Sequence, residues 1–482
     1  MIEHAGHLPG LTRDEVRWRS VRHAAWRETV EIALPELDEA QAQALCARVR
    51  ADARSRLKRM DVARIVAVID EAIARLLDRQ HPLRRKAEDL LPIVTGYDRE
   101  TVRLGLTSYL KTFRRPQLQR FLAEDFSNPG MLDTFQPAAK GGFVRAYGPE
   151  LLLHVWAGNV PALPLWSLIC GLLVKAGTVG KLASAEPLMA GWFAGLIAEI
   201  DPELGECLAI VWWKGGEAAG EAAFLRAADT VIAYGSNATL EALRAKLPAT
   251  TRFLPHGHKI GFGMIARTAL DSRKAMMLAR LAAHDVARYE QQGCYSPQLL
   301  FVERGGRVTP GEFARYVAHE LAALAHRHPR RALSPEETAS VAAWRGAQEL
   351  RALDGGTELF GEPADPWSVV HVEKPEALNP TGLNRTLKLV SVDSLDAVPA
   401  LVAPYRSYLQ TAGIAAPPAE LFRLAGRLGE VGVTRIAALS HMGAPEAGWH
   451  HDGRFSLLDL VTMTEIEHSA EAAAEGFAPY AD

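Results

Sequence analysis

The chain has 482 residues, which at roughly 150 residues per domain predicts about two to four domains. Its content of 48% hydrophobic and 23% charged residues is ordinary for a globular protein and excludes a disordered chain or a fibrous repeat. Lys and Arg total 54 and Asp and Glu total 57, so the net charge is −3. That balance argues against a surface built to bind nucleic acid.

Four cysteines are scattered along the chain: Cys46, Cys170, Cys207 and Cys294. Their separation predicts neither a disulfide scaffold nor a CxxC metal site. The first residues, MIEHAGHLPGLTRDEV, lack the apolar segment of a secretory signal. We therefore expect a cytoplasmic protein.

The first 135 residues are predicted to be mostly helical, because apolar residues between Val62 and Leu77 recur at spacings of three and four. Residues 136–256 form a second unit, in which strands and helices alternate. The predicted strands are 151–157, 179–183, 208–213, 230–234 and 251–254. The predicted helices are 165–175, 188–200, 217–226 and 239–246. Short connections of this kind predict a parallel sheet that binds ligands at the carboxyl ends of its strands.

One stretch of the second unit, residues 155–174, carries no charge over 20 positions and is long enough to cross a bilayer. Asn159, Pro161 and Pro164 interrupt it near its start. We therefore predict a buried strand, a tight turn and a helix that Pro164 opens, with no membrane span.

Residues 257–439 are predicted to form another α/β unit, with a long amphipathic helix at 271–291. Its predicted strands are 299–302, 387–392 and 435–438. The Pro/Gly-rich segment 354–385 is predicted to be an irregular connection. Residues 440–482 contain a GWHHDG turn and a predicted apolar strand at 457–461, and we expect them to join the 136–256 unit as an arm.

Cys294, in the segment QQGCYSPQ, is the strongest candidate for chemistry. Gly293 frees the backbone on one side and Pro297 stiffens it on the other, so the thiol lies on a turn between a helix and a strand. A thiolate presented in this way attacks carbonyl and thioester carbons well. The alternative is a buried structural cysteine, which is our interpretation of the other three cysteines.

Asn159 directly follows a predicted strand, where its amide can donate a hydrogen bond to a developing oxyanion or serve only the turn. Lys181 and Ser184 lie at the end of the next strand. A lysine at that place can reach a ribose or phosphate, or else lie along the surface. Gly235 and Ser236 follow a strand and open a helix, which suits a pyrophosphate, although the GxGxxG spacing is lacking.

The histidines do not form a recognisable metal site. His256 and His258 flank Gly257, and His450 and His451 are adjacent. Neither pair has the i,i+4 spacing of a helical zinc site, so the sequence predicts no metal.

Six segments together resemble one family: HVWAGNVP, KLASAEP, VIAYGS, LPHGHKIGF, QQGCYSPQ and GWHHDGRF. They are similar to the LuxC family, which comprises the fatty-acyl reductases of bacterial bioluminescence and their relatives, a branch of the aldehyde dehydrogenase superfamily. The resemblance spans roughly residues 80–465. AGNVP followed by QQGCYSPQ is its more specific part.

The resemblance implies an aldehyde dehydrogenase-like α/β fold. A Rossmann-like cofactor domain at 136–256 is joined by the C-terminal arm at 440–482, and an α/β catalytic domain at 257–439 bears the nucleophile. The arm is implied to serve oligomerisation, so we expect a homo-oligomer.

The resemblance also implies roles for single residues. Cys294 is expected to accept the acyl group, and Asn159 matches the family's oxyanion asparagine. Lys181 matches the lysine that contacts the adenosine side of the cofactor. Gly235 and Ser236 match the start of the superfamily's phosphate turn.

Two departures from the superfamily pattern stand out. Leu240 stands where the second glycine of the phosphate turn is expected. The glutamate of the superfamily's Glu-Leu-Gly-Gly-Lys motif has no counterpart in the comparable stretch 255–259, whose sequence is PHGHK. The loss suits a reductase, because a base that activates water would hydrolyse the thioester before hydride arrives.

The expected reaction is NADPH-dependent reduction of an acyl thioester to an aldehyde through an acyl group on Cys294. The donor is a long-chain acyl-CoA or an acylated partner protein, and an acyl-protein synthetase is a further partner that the resemblance implies. NADPH is expected because Ser184 stands three residues after Lys181, where NAD-preferring members of the superfamily often carry a glutamate.

Two alternatives remain open on the sequence. A cysteine-dependent acyltransferase or thioesterase needs an activating histidine and no nicotinamide, and the candidates for that role are His256, His258 and His284. A scaffold subunit without activity is the other alternative.

Overall fold

The computed structural model describes residues 2–216 and 218–479. The first residue of the predicted helix 217–226 and the last three residues of the predicted arm 440–482 lie outside the described residues, as does residue 1 of the N-terminal region.

The N-terminal region begins with a three-stranded sheet that the helical pattern did not predict. Its strands are β1 (Ile2–His4), β2 (Arg17–Ala25) and β3 (Glu28–Glu36), in the order β1-β3-β2. β1 runs parallel to β3 and β2 runs antiparallel to it. Trp26 and Arg27, both at positive φ, make the tight turn of the β2–β3 hairpin.

Five helices follow the N-terminal sheet: α1 (Glu39–Ser55), α2 (Val62–Leu77), α3 (Pro82–Thr95), α4 (Arg99–Lys111) and α5 (Arg115–Asp125). Asp38 caps α1 by accepting a hydrogen bond from the Gln41 backbone N–H at 2.8 Å, and the Gln41 side chain bonds back to the Asp38 N–H. The apolar face of α2 is fully buried and packs in the same core as the helices of the next unit.

Two short strands, β4 (Gln136–Pro137) and β5 (Phe143–Tyr147), lead into a five-stranded sheet. The strands of that sheet are β6 (Leu151–Val155), β7 (Gly177–Lys181), β8 (Leu208–Val211), β9 (Thr230–Tyr234) and β10 (Arg252–His256). The helices beside it are α6 (Pro164–Leu173), α7 (Met189–Ile200), α8 (Pro202–Gly205), α9 (Ala218–Ala227) and α10 (Asn237–Arg244). All its strands are parallel, so the predicted α/β fold is confirmed.

The order of the five-stranded sheet is β10-β9-β6-β7-β8. The chain therefore moves outward from β6 in one direction and then returns to the other side of β6 through β9. The reversal leaves a crevice at the carboxyl ends of β6 and β9, which is where open α/β sheets bind ligands.

A seven-stranded sheet follows, in the order β13-β14-β15-β12-β11-β16-β17. Its strands are β11 (Ile260–Ile265), β12 (Pro297–Glu303), β13 (Thr357–Phe360), β14 (Ser368–Val372), β15 (Thr386–Val392), β16 (Leu409–Ala415) and β17 (Arg435–Ala437). The accompanying helices are α11 (Lys274–Ala287), α12 (Pro310–Arg327), α13 (Pro335–Leu353), α14 (Val398–Val402) and α15 (Pro418–Glu430). Only β13 pairs antiparallel to its neighbour.

The Pro/Gly-rich segment 354–385 was wrongly expected to be irregular, since it holds β13 and β14. β14 is buried along its whole length between β13 and β15. The predicted helix 271–291 ends at Ala287, because Tyr289 and Glu290 take left-handed backbone conformations.

The predicted apolar strand at 457–461 is also wrong. Leu458–Leu460 forms a 3-10 turn, and Leu457 and Leu460 are buried against the N-terminal helices. Leu457 and Leu460 are apolar because they are buried and anchor the arm, and not because they pair in a sheet. The Asp125 carboxylate accepts the backbone N–H of Leu457 at 2.5 Å and fixes this anchor to the end of α5.

The arm strand lies just after that anchor. β18 (Thr462–Ile466) pairs antiparallel with β5, and β5 pairs with β4, which makes a second three-stranded sheet followed by α16 (His468–Glu475). The side chains of β18 are mostly exposed. The division of the chain into domains at the expected boundaries stays a prediction.

Over the residues that the structure describes, no helix has both the length and the apolar character needed to cross a bilayer. In the uncharged stretch 155–174, α6 accounts for only ten residues.

His154, inside β6, makes the fold sensitive to acid. It is fully buried and stacks on Trp156 with ring centroids 5.4 Å apart, and neither ring nitrogen bonds to a residue that the structure describes. Burial lowers the pKa of His154 to about 3 from 6.5. Below pH 6.5 the unfolded chain therefore binds a proton that the folded chain refuses, and the free energy of unfolding falls as the pH drops toward 3.

We expect His154→Leu to remove up to about 1.4 kcal/mol per pH unit of this loss below pH 6.5. Urea unfolding at pH 6.5 and at lower pH values measures the slope for the wild type and the variant. His468→Leu, at a side chain 79% exposed, is the control and should keep the wild-type slope. An unchanged slope in His154→Leu would contradict the assignment.

Candidate active site

The loop after β6 carries Asn159 to the carboxyl edge of the five-stranded sheet. It passes so close to the next loop that a Cβ at Gly158 would stand 2.9 Å from the backbone nitrogen of Glu186. Only glycine fits such an approach. Asn159 is exposed, and its side-chain amide donates a hydrogen bond to the backbone carbonyl of Gln292 at 2.6 Å. One amide hydrogen is used in this bond and the other is available to a ligand.

The loop that carries Cys294 begins with an unusual backbone. Tyr289, Glu290 and Gln291 have φ values of 49°, 54° and 60°, all left-handed and none of them glycine. Such conformations cost about 1–3 kcal/mol each and persist only where the surroundings impose them. They turn the chain sharply from the end of α11 toward β12 and leave Cys294 half-buried between the two.

The Gln291 side chain imposes much of that conformation. Its Oε1 accepts the backbone N–H groups of Arg385 at 2.8 Å and Thr386 at 3.0 Å. Its Nε2 donates to the carbonyls of Pro297 at 2.8 Å and Thr386 at 3.0 Å. The buried amide is therefore fully hydrogen-bonded, and we call this set of four bonds the Gln291 clamp.

A buried ion pair lies beside the clamp. The Arg385 guanidinium donates to both carboxylate oxygens of Glu290, at 2.6 Å and 2.9 Å. Arg385 also has a left-handed backbone, as do Leu383 and Asn384 before it. The left-handed turn 289–291 comes before β12, and the left-handed turn 383–385 comes directly before β15. The ion pair between Glu290 and Arg385 thus joins the two turns.

Tyr97 connects the N-terminal helices to both loops of the site. Its hydroxyl lies 2.9 Å from the backbone carbonyl of Asn159 and 3.1 Å from that of Tyr289, so its single hydrogen is shared between them or given to one. The relative position of the asparagine and the cysteine loop therefore depends on α3, which ends just before Tyr97.

Cys294 lies in surroundings that keep its thiol protonated. Burial and the negative charge of Asp452 raise the pKa of Cys294 to about 11, and the Gln410 amide and the Arg435 guanidinium oppose the rise. The thiolate is the nucleophilic form, so this cysteine needs a proton acceptor in order to react near neutral pH.

Cys294 opens into a cavity of about 450 Å³. Aromatic and aliphatic side chains from several elements line most of it: Tyr109, Leu163, Trp166, Tyr289, Tyr295 and Trp449. Three cationic side chains also line it, namely Lys111, Arg120 and Arg288. The volume and the mixed lining are those of a small-molecule site.

The expected cofactor residues lie at the carboxyl edge of the five-stranded sheet. Lys181 ends β7, with its Nζ 5.8 Å from the Trp213 ring centroid, and burial lowers the pKa of Lys181. Ser184 follows in the next loop and is exposed, with its Oγ accepting the Trp212 indole N–H at 3.0 Å. The carboxyl end of β7 thus presents one cationic side chain, that of Lys181.

The Glu186 carboxylate does not serve as the cofactor-selecting carboxylate that a glutamate at position 184 would provide. It is buried, and one oxygen accepts the backbone N–H groups of Leu188 and Met189 at 2.9 Å each, at the start of α7. Burial raises the pKa of Glu186.

Gly235 and Ser236 follow β9 beside the crevice. Ser236 is the N-cap of α10, and its Oγ accepts the Thr239 backbone N–H at 3.2 Å. The Gly235 N–H donates to the His256 carbonyl at 3.2 Å, which ties the turn to the end of β10. The exposed start of an eight-residue helix, on the same sheet edge as Lys181 and two strands away from it, fits the phosphates of a dinucleotide.

The structure joins two histidine motifs that are far apart in sequence. His256 Nδ1 lies 2.8 Å from Asp452 Oδ2, across 196 positions of the chain. The other oxygen of Asp452 accepts a hydrogen bond from Gln410 Nε2 at 2.7 Å. The His451 ring stacks on His256 at 4.3 Å between centroids, and His256 stacks on Tyr234 at 4.8 Å. We call the three rings the histidine stack.

Sequence reasoning noticed both motifs but missed that they meet, because neither has a local metal-ligand spacing. Although His256, His451 and Asp452 lie close together, the two imidazole planes are within 9° of parallel. Stacked rings direct their lone pairs along parallel planes and do not converge on one ion at the roughly 2.0–2.1 Å of a zinc–nitrogen bond. The arrangement fits proton transfer better than metal binding.

The other histidines that the sequence offered as bases lie elsewhere. His258 is exposed two residues beyond His256, and His284 lies on α11, where it lines a second cavity with Asp285 and His328. Of the three candidates, only His256 belongs to the network around Asp452.

The part of the chain that carries these site residues also matches a known protein family. Residues 57–463 match the model of the acyl-CoA reductase (LuxC) family. A long-chain acyl-protein thioester reductase from Photorhabdus luminescens is 25% identical over 340 residues, which cover 70% of this chain and 68% of that protein.

Two solved structures show the fold that the chain shares. A mutant of aldehyde dehydrogenase C from Pseudomonas syringae, in complex with NAD+ and octanal, has a TM-score of 0.73 at 15% identity and covers 99% of this chain and 98% of that one. A glyceraldehyde-3-phosphate dehydrogenase from Methanocaldococcus jannaschii, complexed with NADP, has a TM-score of 0.69 at 13% identity, covering 93% and 99%. The predicted aldehyde dehydrogenase-like fold is confirmed.

Proposed function

Because the chain belongs to the acyl-CoA reductase (LuxC) family and is an oxidoreductase of the acyl–aldehyde couple, we propose that it reduces a long-chain acyl thioester with NADPH. The acyl group is carried on Cys294 and leaves as an aldehyde. The observation that carries the proposal is the position of Cys294, which opens into a cavity of about 450 Å³ within reach of the Asn159 loop.

In the first half of the reaction, the Cys294 thiolate attacks the carbonyl carbon of the thioester and the donor's C–S bond breaks. Asn159 and the backbone N–H of Cys294 are the donors for the oxyanion that forms. Losing one such donor costs about 2.7–4 kcal/mol of transition-state stabilisation. The Gln291 clamp supports this step because it holds the cysteine loop rigid against β15.

In the second half, a nicotinamide supplies the hydride when it is bound. Lys181 and the Gly235–Ser236 turn would hold the cofactor's adenosine and phosphate groups, since they offer a cation and a helix start on one sheet edge. The oxygen of the tetrahedral adduct then re-forms the C=O bond as the C–S bond to Cys294 breaks, which releases the aldehyde and returns the cysteine as its thiolate.

The donor is an acyl-CoA or an acylated protein. The relative from Photorhabdus luminescens is named as a long-chain acyl-protein thioester reductase, which favours a protein donor. An acyl-protein synthetase as a partner is proposed from the family resemblance alone. Lys111 and Arg120 are exposed where they line the cavity, and Arg288 is a third cation there. Such cations suit the phosphates of coenzyme A or phosphopantetheine. Assembly into a homo-oligomer is proposed through β18, whose side chains are exposed.

A deuterium-transfer experiment tests the proposed function. The protein is incubated with a long-chain acyl-CoA and NADPH that carries deuterium at the transferable C4 position. The expected product is the fatty aldehyde with one deuterium at C1, detected by mass spectrometry. Free fatty acid formed equally well without nicotinamide would instead support the thioesterase alternative.

We expect the acyl-enzyme to hydrolyse slowly without cofactor. The stretch 255–259 lacks the superfamily's glutamate, so no carboxylate of that motif can activate water. Single-turnover assays that follow fatty acid release without NADPH, and aldehyde release with it, compare the two rates. Acid release as fast as aldehyde release would reveal another base, with His256 and His258 as the first candidates.

We expect Ser184→Glu to weaken NADPH relative to NADH by on the order of a hundredfold. A carboxylate at this strand end repels a 2′-phosphate, and like-charge repulsion of this kind is worth a few kcal/mol. Ser184→Ala is the matched control, because it also loses the bond from the Trp212 indole but adds no charge.

Steady-state kcat/KM with each cofactor measures the effect in the wild type and both variants. If Ser184→Glu and Ser184→Ala had the same cofactor ratio, or if the wild type preferred NADH, this strand end would not select the cofactor.

A further inference from the structure

We propose that the pair formed by His256 and Asp452 accepts the thiol proton of Cys294 when this cysteine is acylated. The proposal deepens the proposed function and rests on Cys294 being its nucleophile. The juxtaposition that carries it is Asp452, which touches the imidazole with one oxygen and the Gln410 amide next to the cysteine with the other.

Asp452 is held in a position that only a sharp turn allows. Its backbone has φ 55°, in the left-handed region, within the turn 451–453. Non-glycine residues in that region cluster at functional sites, where packing imposes them. The carboxylate is mostly buried and accepts hydrogen bonds from two sides. Those bonds, with the nearby imidazoles, hold the pKa of Asp452 far below its usual range, so it stays charged.

A small cavity beside the imidazole shares lining side chains with the cavity of Cys294. A small cavity of about 40 Å³ is lined by His256 together with His451 and Tyr234. The last two also line the larger cavity onto which Cys294 opens. The small cavity has room for water, and a general base can act through one water molecule.

Titratable and charged side chains surround His256. His451 and Tyr234 face His256 as the stack, and burial lowers the pKa of His451 to about 3, so its ring stays neutral. Lys259 lies near enough to add positive charge at His451. Arg454 and Asp459 line the small cavity and bond to each other at 3.0 Å.

Near the cysteine, the positive charge of Arg435 lowers the pKa of Cys294 and so opposes the effect of Asp452 on that thiol. Tyr295 lines the same cavity, and burial raises its pKa, so its hydroxyl stays neutral. Glu446 is the carboxylate that lines the cavity of Cys294, and it is exposed, whereas the imidazole of His256 is held by the buried Asp452.

The proton balance is simple. The Cys294 S–H bond breaks, the proton passes through water to Nε2 of His256, and the thiolate forms its bond to the thioester carbon. Asp452 accepts a hydrogen bond from Nδ1–H and stabilises the imidazolium. The departing thiolate then takes the proton back as its C–S bond breaks, so the pair ends as it began. His256 is the base in this scheme, and Asp452 is a positioning residue.

The test is the pH dependence of Cys294 alkylation by iodoacetamide, followed by intact-protein mass spectrometry. It needs neither nicotinamide nor acyl donor, so its failure is distinguishable from failure of the proposed function. His256→Asn keeps a donor near the position of Nδ1 but has no second nitrogen. We expect it to slow alkylation at pH 7 by about 100-fold or more, the range of general base catalysis.

His258→Gln, at an exposed histidine two residues away, is the matched control and should react like the wild type. Thermal unfolding of each variant checks the fold, and His256→Gln is the second replacement if His256→Asn does not fold. Wild-type alkylation in either folded variant would overturn the proposal.

Asp452→Asn provides a test of opposite sign. If Asp452 acted on the cysteine by its charge alone, removing it would lower the pKa of Cys294 and speed alkylation. If it supports an imidazolium that holds the thiol proton, removing it slows alkylation. We expect slower alkylation, by about tenfold or more, with the inflection of the pH profile moved upward. Faster alkylation would overturn the proposal.

Discussion

Cys294→Ala is expected to abolish reduction of acyl thioesters, with a loss of activity of at least about a thousandfold. The variant lacks the nucleophile, so neither the acyl-enzyme nor the reduced adduct can form, and a covalent route has no substitute in the remaining donors. Activity is measured as NADPH oxidation and as aldehyde produced. Mass spectrometry of the wild type after treatment with acyl-CoA should show one acyl adduct, at Cys294.

The other three cysteines are the controls. Cys46, Cys170 and Cys207 are buried, and burial raises the pKa of each thiol, to about 12 for Cys46 and Cys207. Replacing each with alanine should leave turnover near the wild-type value, although stability can fall by a modest amount. An adduct on one of them, or substantial turnover in Cys294→Ala, would contradict the assignment.

Gln291→Ala is expected to destabilise the fold by on the order of 3 kcal/mol or more. The Gln291 clamp satisfies two buried N–H groups and two carbonyl contacts, and leaving buried groups unpaired costs about 1–3 kcal/mol each. Without the clamp, the left-handed turn at 289–291 loses the side chain that imposes it, so acylation of Cys294 should slow as well.

Gln292→Ala is the matched control at the next position. The Gln292 side chain makes only longer bonds, to Asn384 Oδ1 at 3.2 Å and to the Glu290 carbonyl at 3.5 Å, so its loss should cost below about 1 kcal/mol. Urea unfolding measures both variants against the wild type. Equal stabilities for the two variants would show that the clamp does not support the loop.

Local patterns in the sequence determined the five-stranded sheet and the cysteine turn. The strand Thr230–Tyr234 has the bounds that its apolar run predicts, and β6, β7 and β8 lie within or close to theirs. Buried parallel strands are continuous apolar runs that end at Gly, Asn or Ser, so the chain itself marks them. The turn that presents Cys294 after Gly293 is marked in the same local way.

Predictions of secondary structure that rested on apolar character alone were wrong at two places. Residues 457–461 are apolar because they anchor the arm to α5, and β14 is hidden in a Pro/Gly-rich segment because its neighbours in the sheet supply the burial. The N-terminal hairpin lies in a region whose strongest signal was helical. In each case the pattern reports burial, and the element depends on which partner provides it.

Only the tertiary structure decided which chemical groups meet. Asn159 reaches the cysteine loop across 133 positions, and Asp452 reaches His256 across 196. No periodicity encodes such contacts, because they depend on the order of strands in two sheets and on loops closed by buried side chains such as Gln291. The sequence determined the cysteine, the asparagine and the absence of the glutamate base, and folding decided that a histidine and an aspartate from distant turns stand beside them.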